Sequence, residues 1–270
     1  MRRTALDLGS VSDGGAQASE WRAWLPGAGP IALLLIAVAG AGWAITADRM
    51  QGMDIGPGTD LGALGWFAVV WVTMMAAMML PSLVPMSAVH LRTGRSRDGR
   101  LPIVAACVFV LGYLAVWALA GLVAWLVFEA VRSLDLAWLA WDRGGRYLAG
   151  GVIVAAALYE LTPVKGASLS HCRVPVLLAE RWRPGARGAL RTGVEHGGFC
   201  VGSSWALMAA LFALGVMNVA WMVVVAGLVA IEKLLPWERG AVGATAVLVG
   251  VLGVAVALVP GQVPWLTVPM

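Results

Sequence analysis

Long apolar runs dominate this sequence, and they restrict its fold more than any other feature. Each run approaches the roughly twenty residues that a helix needs to cross the hydrocarbon core of a bilayer. The whole chain agrees, with 60% hydrophobic residues, 13% charged residues and a mean hydropathy of +0.82. The runs cover residues 30–46, 61–80, 103–128, 147–161, 197–215, 217–235 and 240–259. The sequence therefore predicts an all-α, polytopic transmembrane helix bundle with about seven spans.

Polar segments divide the chain into a membrane domain and two tails. We predict a polar N-terminal tail over residues 1–26, a membrane domain over 27–260 and a short C-terminal tail over 261–270. The N-terminal tail lacks a sharp small-residue cleavage site, so the first run is interpreted as a retained span and not as a signal peptide. The fifth and sixth runs form one apolar block, in which Gly215 to Asn218 is the only plausible tight turn.

The basic residues indicate an orientation. Most of the 19 Lys and Arg residues lie in the N-terminal tail and in alternate loops, including a long predicted loop between the fourth and fifth runs. Cytoplasmic loops carry the excess of Lys and Arg, which predicts a cytoplasmic N-terminus and an external C-terminus. The net charge of +4 is thus a topology signal, and we expect the lipid bilayer, not nucleic acid, as the surrounding partner.

One predicted helix combines hydrophobicity with reactive side chains. His196, Cys200, Ser204 and Met208 recur at every fourth position. At about 100° per residue, such positions share one face of a helix. An imidazole, a thiol, a hydroxyl and a thioether are unusual groups to present to lipid tails, so we expect this face to point into the bundle.

A second stretch matches that face in chemistry. Four methionines occupy six positions shortly before Pro81, namely Met74, Met75, Met78 and Met79. Thioethers are soft neutral donors suited to Cu(I), which they can hold in an apolar site without burying a second charge. Methionine also fills gaps between helices, so plain packing is the alternative. We predict that the two helices meet and line a site for a soft cation.

Two further candidates fall at the same predicted depth. Glu160 lies near the inner end of the fourth run, where a carboxylate is either hydrated or paired with Lys165, and ionisable groups at membrane depth are often functional. Cys172 follows in the next loop. Met208 lies about 18 Å along the helix from His196, too far to share one ion, and is assigned to a second position on a path.

Several motifs in sequence order carry a family resemblance. They are Met-Met-Ala-Ala-Met-Met-Leu-Pro-x-x-x-Pro at 74–85, Leu-Thr-Pro-x-Lys at 161–165, Cys-Arg-x-Pro at 172–175, His-Gly-x-x-Cys-x-Gly-x-x-Trp-x-Leu-Met at 196–208, Gly-Val-Met-Asn-x-x-Trp-Met at 215–222 and Glu-Lys at 232–233. Together they resemble a bacterial family of predicted metal-binding integral membrane proteins, a domain of unknown function sometimes labelled a copper chaperone. The resemblance covers roughly residues 60–240 and implies a multi-pass protein of the bacterial inner membrane. It also implies metal ligands at Cys172, Cys200 and His196, with the methionine motif behind them.

The chain departs from the pattern of that family at three positions. Cysteines commonly precede Leu169 in the family, and a Cys-Cys pair often precedes Trp205. This chain has Ser168, Ser203 and Ser204 at those places. A hydroxyl is a poor ligand for Cu(I) or zinc. A site here would therefore use Cys172, Cys200, His196 and methionines, or the site is degenerate.

Three functions remain open at this point. The leading hypothesis is a metal-binding protein, not an enzyme, that handles copper as Cu(I), with zinc less favoured, and exchanges it with a donor or acceptor protein. An intramembrane hydrolase using Ser203 or Ser204 is the second, although His196 and Ser204 are about 12 Å apart on one helix. A membrane scaffold subunit without a metal is the third. The sequence leaves the identity of the metal, the partner and the oligomeric state open.

Overall fold

The computed structural model describes residues 29–50, 61–84, 101–134, 140–173, 185–235 and 238–266. In these ranges the chain forms eight α-helices and no β-strand, which confirms the predicted all-α class. The helices are α1 (Gly29–Arg49), α2 (Leu64–Met79), α3 (Leu101–Ser133), α4 (Arg146–Glu160), α5 (Pro163–Arg173), α6 (Ala186–Leu214), α7 (Val219–Leu234) and α8 (Glu238–Leu258). Short helical turns cover Leu80–Leu83, Trp141–Gly145 and Pro260–Gln262. The predicted tail over residues 1–26 lies outside the described residues.

Five segments of the described chain are long and apolar enough to cross a membrane. They are Ala32–Arg49, Leu64–Leu83, Val104–Ser133, Ala186–Leu214 and Gly240–Leu258. Helices α4 and α5 qualify together as a sixth, broken at a bend of 66°. Helix α7 is apolar but has only 16 residues. The count of seven spans and the orientation of the termini stay predictions.

The bundle has an apolar surface and several polar side chains in its interior, unlike a typical water-soluble protein. Large aliphatic side chains point outward and are more than half exposed, among them Leu33, Val69, Leu111, Val247 and Val251. The interior is mainly apolar but also contains ionisable and hydroxyl groups, among them Glu160, Lys165, His196, Ser203 and Glu232. Apolar side chains can face lipid without cost, whereas polar groups need partners inside the bundle.

Glycines allow two helix pairs to approach closely. A Cβ atom at Gly150 of α4 would lie 2.6 Å from the carbonyl oxygen of Gly253 of α8, and one at Gly253 would lie 2.9 Å from that of Gly150. Likewise, a Cβ at Gly112 of α3 would lie 2.6 Å from the Leu190 carbonyl oxygen of α6. Small residues of this kind are the usual means of backbone approach in membrane bundles, where packing replaces the hydrophobic effect.

The prediction of a long loop between the fourth and fifth runs was wrong for the residues that the structure describes there, since almost all of them are helical. Helix α5 occupies its start, and α6 begins at Ala186, eleven residues before the apolar run. Polar residues such as Arg187 and Arg191 are good helix formers, so helix continues wherever one face has a packing partner. Here that partner is α3, where Leu190 contacts Gly112. Hydropathy detects the lipid-facing part of a helix and not its full length.

Two local sequences set the chain reversals. Helix α4 ends before Pro163 because the residue preceding a proline disfavours helical geometry. The Thr162 hydroxyl then accepts a hydrogen bond from the Lys165 amide at 3.3 Å and starts α5.

The predicted turn between α6 and α7 is confirmed, with Gly215 at a φ of 104°. The Asn218 side chain caps α7 by accepting from the amides of Ala220 and Trp221.

Candidate metal site

Cys200 is the centre of a buried polar cluster inside the bundle. Its side chain, on α6, is only 1% exposed. The Cys200 Sγ lies 3.0 Å from the Tyr113 Oη of α3 and 2.8 Å from the Lys233 Nζ of α7. Three helices therefore direct a thiol, a phenol and an ammonium group toward one point, within a shell of apolar side chains.

Two more sulfur atoms lie beside this thiol. The Lys233 Nζ is 3.8 Å from the Met79 Sδ, so the same ammonium contacts the thioether of α2 and the thiol of α6. Cys172 of α5 hydrogen-bonds with Cys200, and its Sγ lies 3.9 Å from the Ser203 Oγ. The Lys233 ammonium thus contacts one thiol and one thioether, and the second thiol, Cys172, contacts Cys200. We call Met79, Cys172, Cys200 and Lys233 the sulfur cluster.

Helix ends explain why these side chains can converge. Met79 is the last residue of α2, where the turn Leu80–Leu83 with its proline begins. Cys172 lies in the last turn of α5, and Lys233 in the last turn of α7. A long lysine stem at a helix end can reach sideways to a neighbouring helix while its apolar part stays in the bundle.

A close contact between α5 and α6 positions Cys172. A Cβ atom at Gly202 would lie 2.9 Å from the Ser168 Oγ, so the absence of a side chain lets the two helices pack together. The Tyr159 hydroxyl also donates to the Gly202 carbonyl at 2.7 Å and ties α4 to the same place. Ser168 therefore has a packing role here.

The donor set of the cluster suits a soft monovalent cation. Thiolate and thioether sulfur are the ligands that Cu(I) prefers, and burial excludes the water that harder ions retain. No group of three or more His, Cys, Asp and Glu side chains in the described part of the chain could hold a metal ion. A site with three ligands built from these residues therefore has to include methionine sulfur.

His196 lies one helical turn from Cys200 but in a different environment. Its ring is buried near the rings of Phe109 and Tyr113, with centroid separations of 6.0 and 5.9 Å. The Nδ1 atom has no hydrogen-bond partner among the described residues. His196 thus shares Tyr113 with the sulfur cluster as a neighbour, and its free ring nitrogen is a second donor on the same helix face.

The remaining predicted methionines fill the core. Met74, Met75 and Met78 are at most 5% exposed, and Met208 is 4% exposed. They belong to the apolar core of the bundle, and Met79 is the member of its motif that contacts the ammonium of Lys233. Helices α2 and α6 do meet as predicted, since the rings of Trp71 and Phe212 are 5.6 Å apart.

Glu160 belongs to a separate group of charges. Its carboxylate forms a salt bridge with Lys165, as one of the two sequence alternatives predicted. The Lys165 Nζ also lies 2.7 Å from the Glu232 Oε2, and all three side chains are at most 3% exposed. The Oε1 atoms of both glutamates lack a hydrogen-bond partner among the described residues. We call these three residues the carboxylate cluster.

The two serines that suggested a hydrolase have local partners. The Ser203 hydroxyl donates to the Cys200 carbonyl of its own helix at 2.9 Å and lies 3.4 Å from the Ser204 Oγ. His171 contacts the Ala167 carbonyl through Nδ1 and stacks on Phe199. In the described ranges, no hydrogen bond joins either serine to a histidine, so the arrangement does not form a nucleophile and base pair.

Sequence reasoning missed two residues that contact Cys200, namely Lys233 and Tyr113. Lys233 was noted only as part of a Glu-Lys motif, although a lysine in an apolar helix is itself a signal for an interior role. Tyr113 carried no signal, because an isolated tyrosine in an apolar run is indistinguishable from an interfacial or packing residue. Its partner Cys200 is 87 positions away in the sequence.

These features define a class of protein. An all-helical bundle with several span-length apolar helices and a buried sulfur cluster is a polytopic helical membrane protein with a candidate site for a soft cation. Residues 68–256 match the PpoB2 family, which is described as copper chaperone, so the chain belongs to this family. The family match confirms the resemblance seen in the motifs. Neither a curated protein nor a solved structure matches the chain.

Proposed function

We propose that this protein is a copper chaperone of the bacterial inner membrane, which binds Cu(I) at the sulfur cluster and passes it to a partner protein. The observation that carries the proposal is a connected group of three sulfur atoms in the bundle interior: Cys200 and Met79 contact the same ammonium, and Cys172 contacts Cys200. The copper chaperone description of the family supports the choice of metal. Copper is the cargo in this proposal, and no chemical transformation is involved.

The donor set also explains how the protein could release its cargo. Two thiols and one thioether provide few ligands, so a donor from a partner can bind the ion before the last sulfur of this chain leaves. His196, one turn from Cys200, would serve as a next donor along the α6 face. Zinc is less favoured because it takes four ligands in closed protein sites and gains less from a thioether.

A copper-loading experiment on the detergent-purified protein tests the proposal. Metal content would be measured by elemental mass spectrometry after loading with Cu(I) under reducing conditions. We expect roughly one copper per wild-type chain and a loss of this copper in the Cys172→Ser/Cys200→Ser variant, because hydroxyl oxygen is a poor ligand for Cu(I). The Cys107→Ser variant is the matched control, since Cys107 is an exposed free thiol on α3.

Two results would contradict the proposal. Copper retained equally by the double variant would place binding elsewhere in the chain. Absence of copper from the wild-type protein would favour the scaffold alternative, in which the methionines and small residues serve only for packing.

A further inference from the structure

Lys233 has an environment that is unusual for a lysine. Its Nζ lies 2.8 Å from the Cys200 Sγ and 3.8 Å from the Met79 Sδ. The adjacent Glu232 is already bound to Lys165. Within the described residues Lys233 forms no salt bridge, and both of its side-chain hydrogen-bond contacts are to sulfur atoms. The ammonium therefore occupies the place between a thiol and a thioether that a bound cation would take.

Ligand softness alone cannot set the selectivity of such a site. Sulfur donors attract both monovalent and divalent soft cations, and the divalent ones compete for thiolates. A fixed positive charge beside the ligands separates the two classes, because its repulsion of a divalent ion is twice its repulsion of a monovalent ion at the same distance. This difference is large in a buried site, where the effective dielectric is well below that of water.

We propose that Lys233 is the specificity-determining residue of the sulfur cluster, admitting soft monovalent cations and rejecting divalent cations with the same ligand preference. The inference rests on the proposed function and deepens it. Lysine has a flexible stem and the Lys233 side chain is only partly buried, so the ammonium can move aside when an ion enters. Its charge stays within a few ångströms of the ion, because the stem is anchored on α7.

Competition between Ag(I) and Cd(II) tests this inference. Both ions bind sulfur ligands but differ in charge, and comparing variants of the same site removes the contribution of their different coordination preferences. Metal occupancy would be measured by elemental mass spectrometry on the full-length protein in detergent, using wild type, Lys233→Gln and Lys233→Arg. We expect wild type and Lys233→Arg to prefer Ag(I), and Lys233→Gln to shift the Cd(II)-to-Ag(I) occupancy ratio by at least about tenfold towards Cd(II).

The outcomes separate this inference from the proposed function. Wild-type protein that binds Ag(I) and Cd(II) equally, or a Lys233→Gln variant that keeps the wild-type ratio, overturns the role of Lys233 and leaves the metal site standing. Wild-type protein that binds neither Cu(I) nor Ag(I) overturns both proposals. If Lys233→Gln does not fold, Lys233→Met removes the same charge while keeping a long unbranched side chain, and the same shift of the occupancy ratio is expected.

Discussion

Two lysines, the fully buried Lys165 of α5 and the partly buried Lys233 of α7, have different kinds of partner. Lys165 contacts the carboxylates of Glu160 and Glu232, whereas Lys233 contacts the sulfur atoms of Cys200 and Met79. The two environments are separated by a single peptide bond, since Glu232 and Lys233 are consecutive. Under the proposed function, one bundle holds a structural group of paired charges beside a site whose cation is exchanged.

The difference follows from the strength of the partners. Two carboxylates in a medium of low dielectric hold a lysine firmly, and removal of the lysine leaves both carboxylates without a compensating charge. A thioether is neutral and a thiol is a weak hydrogen-bond partner, so they hold an ammonium loosely. We therefore expect a soft metal cation to displace the ammonium of Lys233 from its sulfur partners but not that of Lys165 from its carboxylates.

Removing the charge of Lys165 is expected to have the largest effect on stability. The Lys165→Met change leaves Glu160 and Glu232 without their shared cation and should lower the free energy of unfolding by about 3–5 kcal/mol. Denaturant unfolding in detergent measures the loss. The control is a triple variant that adds Glu160→Gln and Glu232→Gln, which removes the unpaired charges and should recover part of the stability. A Lys165→Met protein as stable as wild type would refute the view of this cluster as a structural clamp.

The methionine motif offers a sharper test of which thioether binds metal. The Met79→Leu change should weaken Cu(I) binding at least about tenfold, since even groups outside the coordination sphere change metal affinity by about 10–100-fold. The matched control is Met74→Leu, because Met74 is equally buried in the same helix but packs in the apolar core. Competition with a Cu(I) chelator measures both affinities. Equal losses in the two variants would mean that the motif acts through packing.

The smallest predicted effect concerns the phenol at the sulfur cluster. The Tyr113→Phe change removes the hydrogen bond to Cys200 and should cost about 1 kcal/mol of stability, the net value of a typical buried hydrogen bond. The loss is modest because Cys200 keeps Lys233 as a partner. Thermal unfolding of the metal-free protein in detergent measures it. A loss as large as that of Lys165→Met would show that the sulfur cluster is also a structural clamp.

Much of the helical framework was predictable because its causes are local. The turn at Gly215 and the helix break at Pro163 follow from residues that restrict the backbone in any context. The inward face of α6 followed from the spacing of His196 and Cys200, both of which are buried. The extra helical residues at the start of α6 were not predictable from hydropathy, because their packing partner α3 is distant in sequence.

The sequence by itself determined that this chain forms apolar helices of membrane-spanning length and that it carries soft donors on two of them. Tertiary structure alone decided which donors meet. The 66° bend between α4 and α5 turns Cys172 back toward Cys200, and Lys233 contacts both Cys200 and Met79, the latter 154 positions away in the sequence. Periodicity assigns a residue to a helix face, but it carries no information on which faces pack together. That choice depends on close approach at glycines such as Gly202 and on the pairing of buried charges, which arise only when the helices assemble.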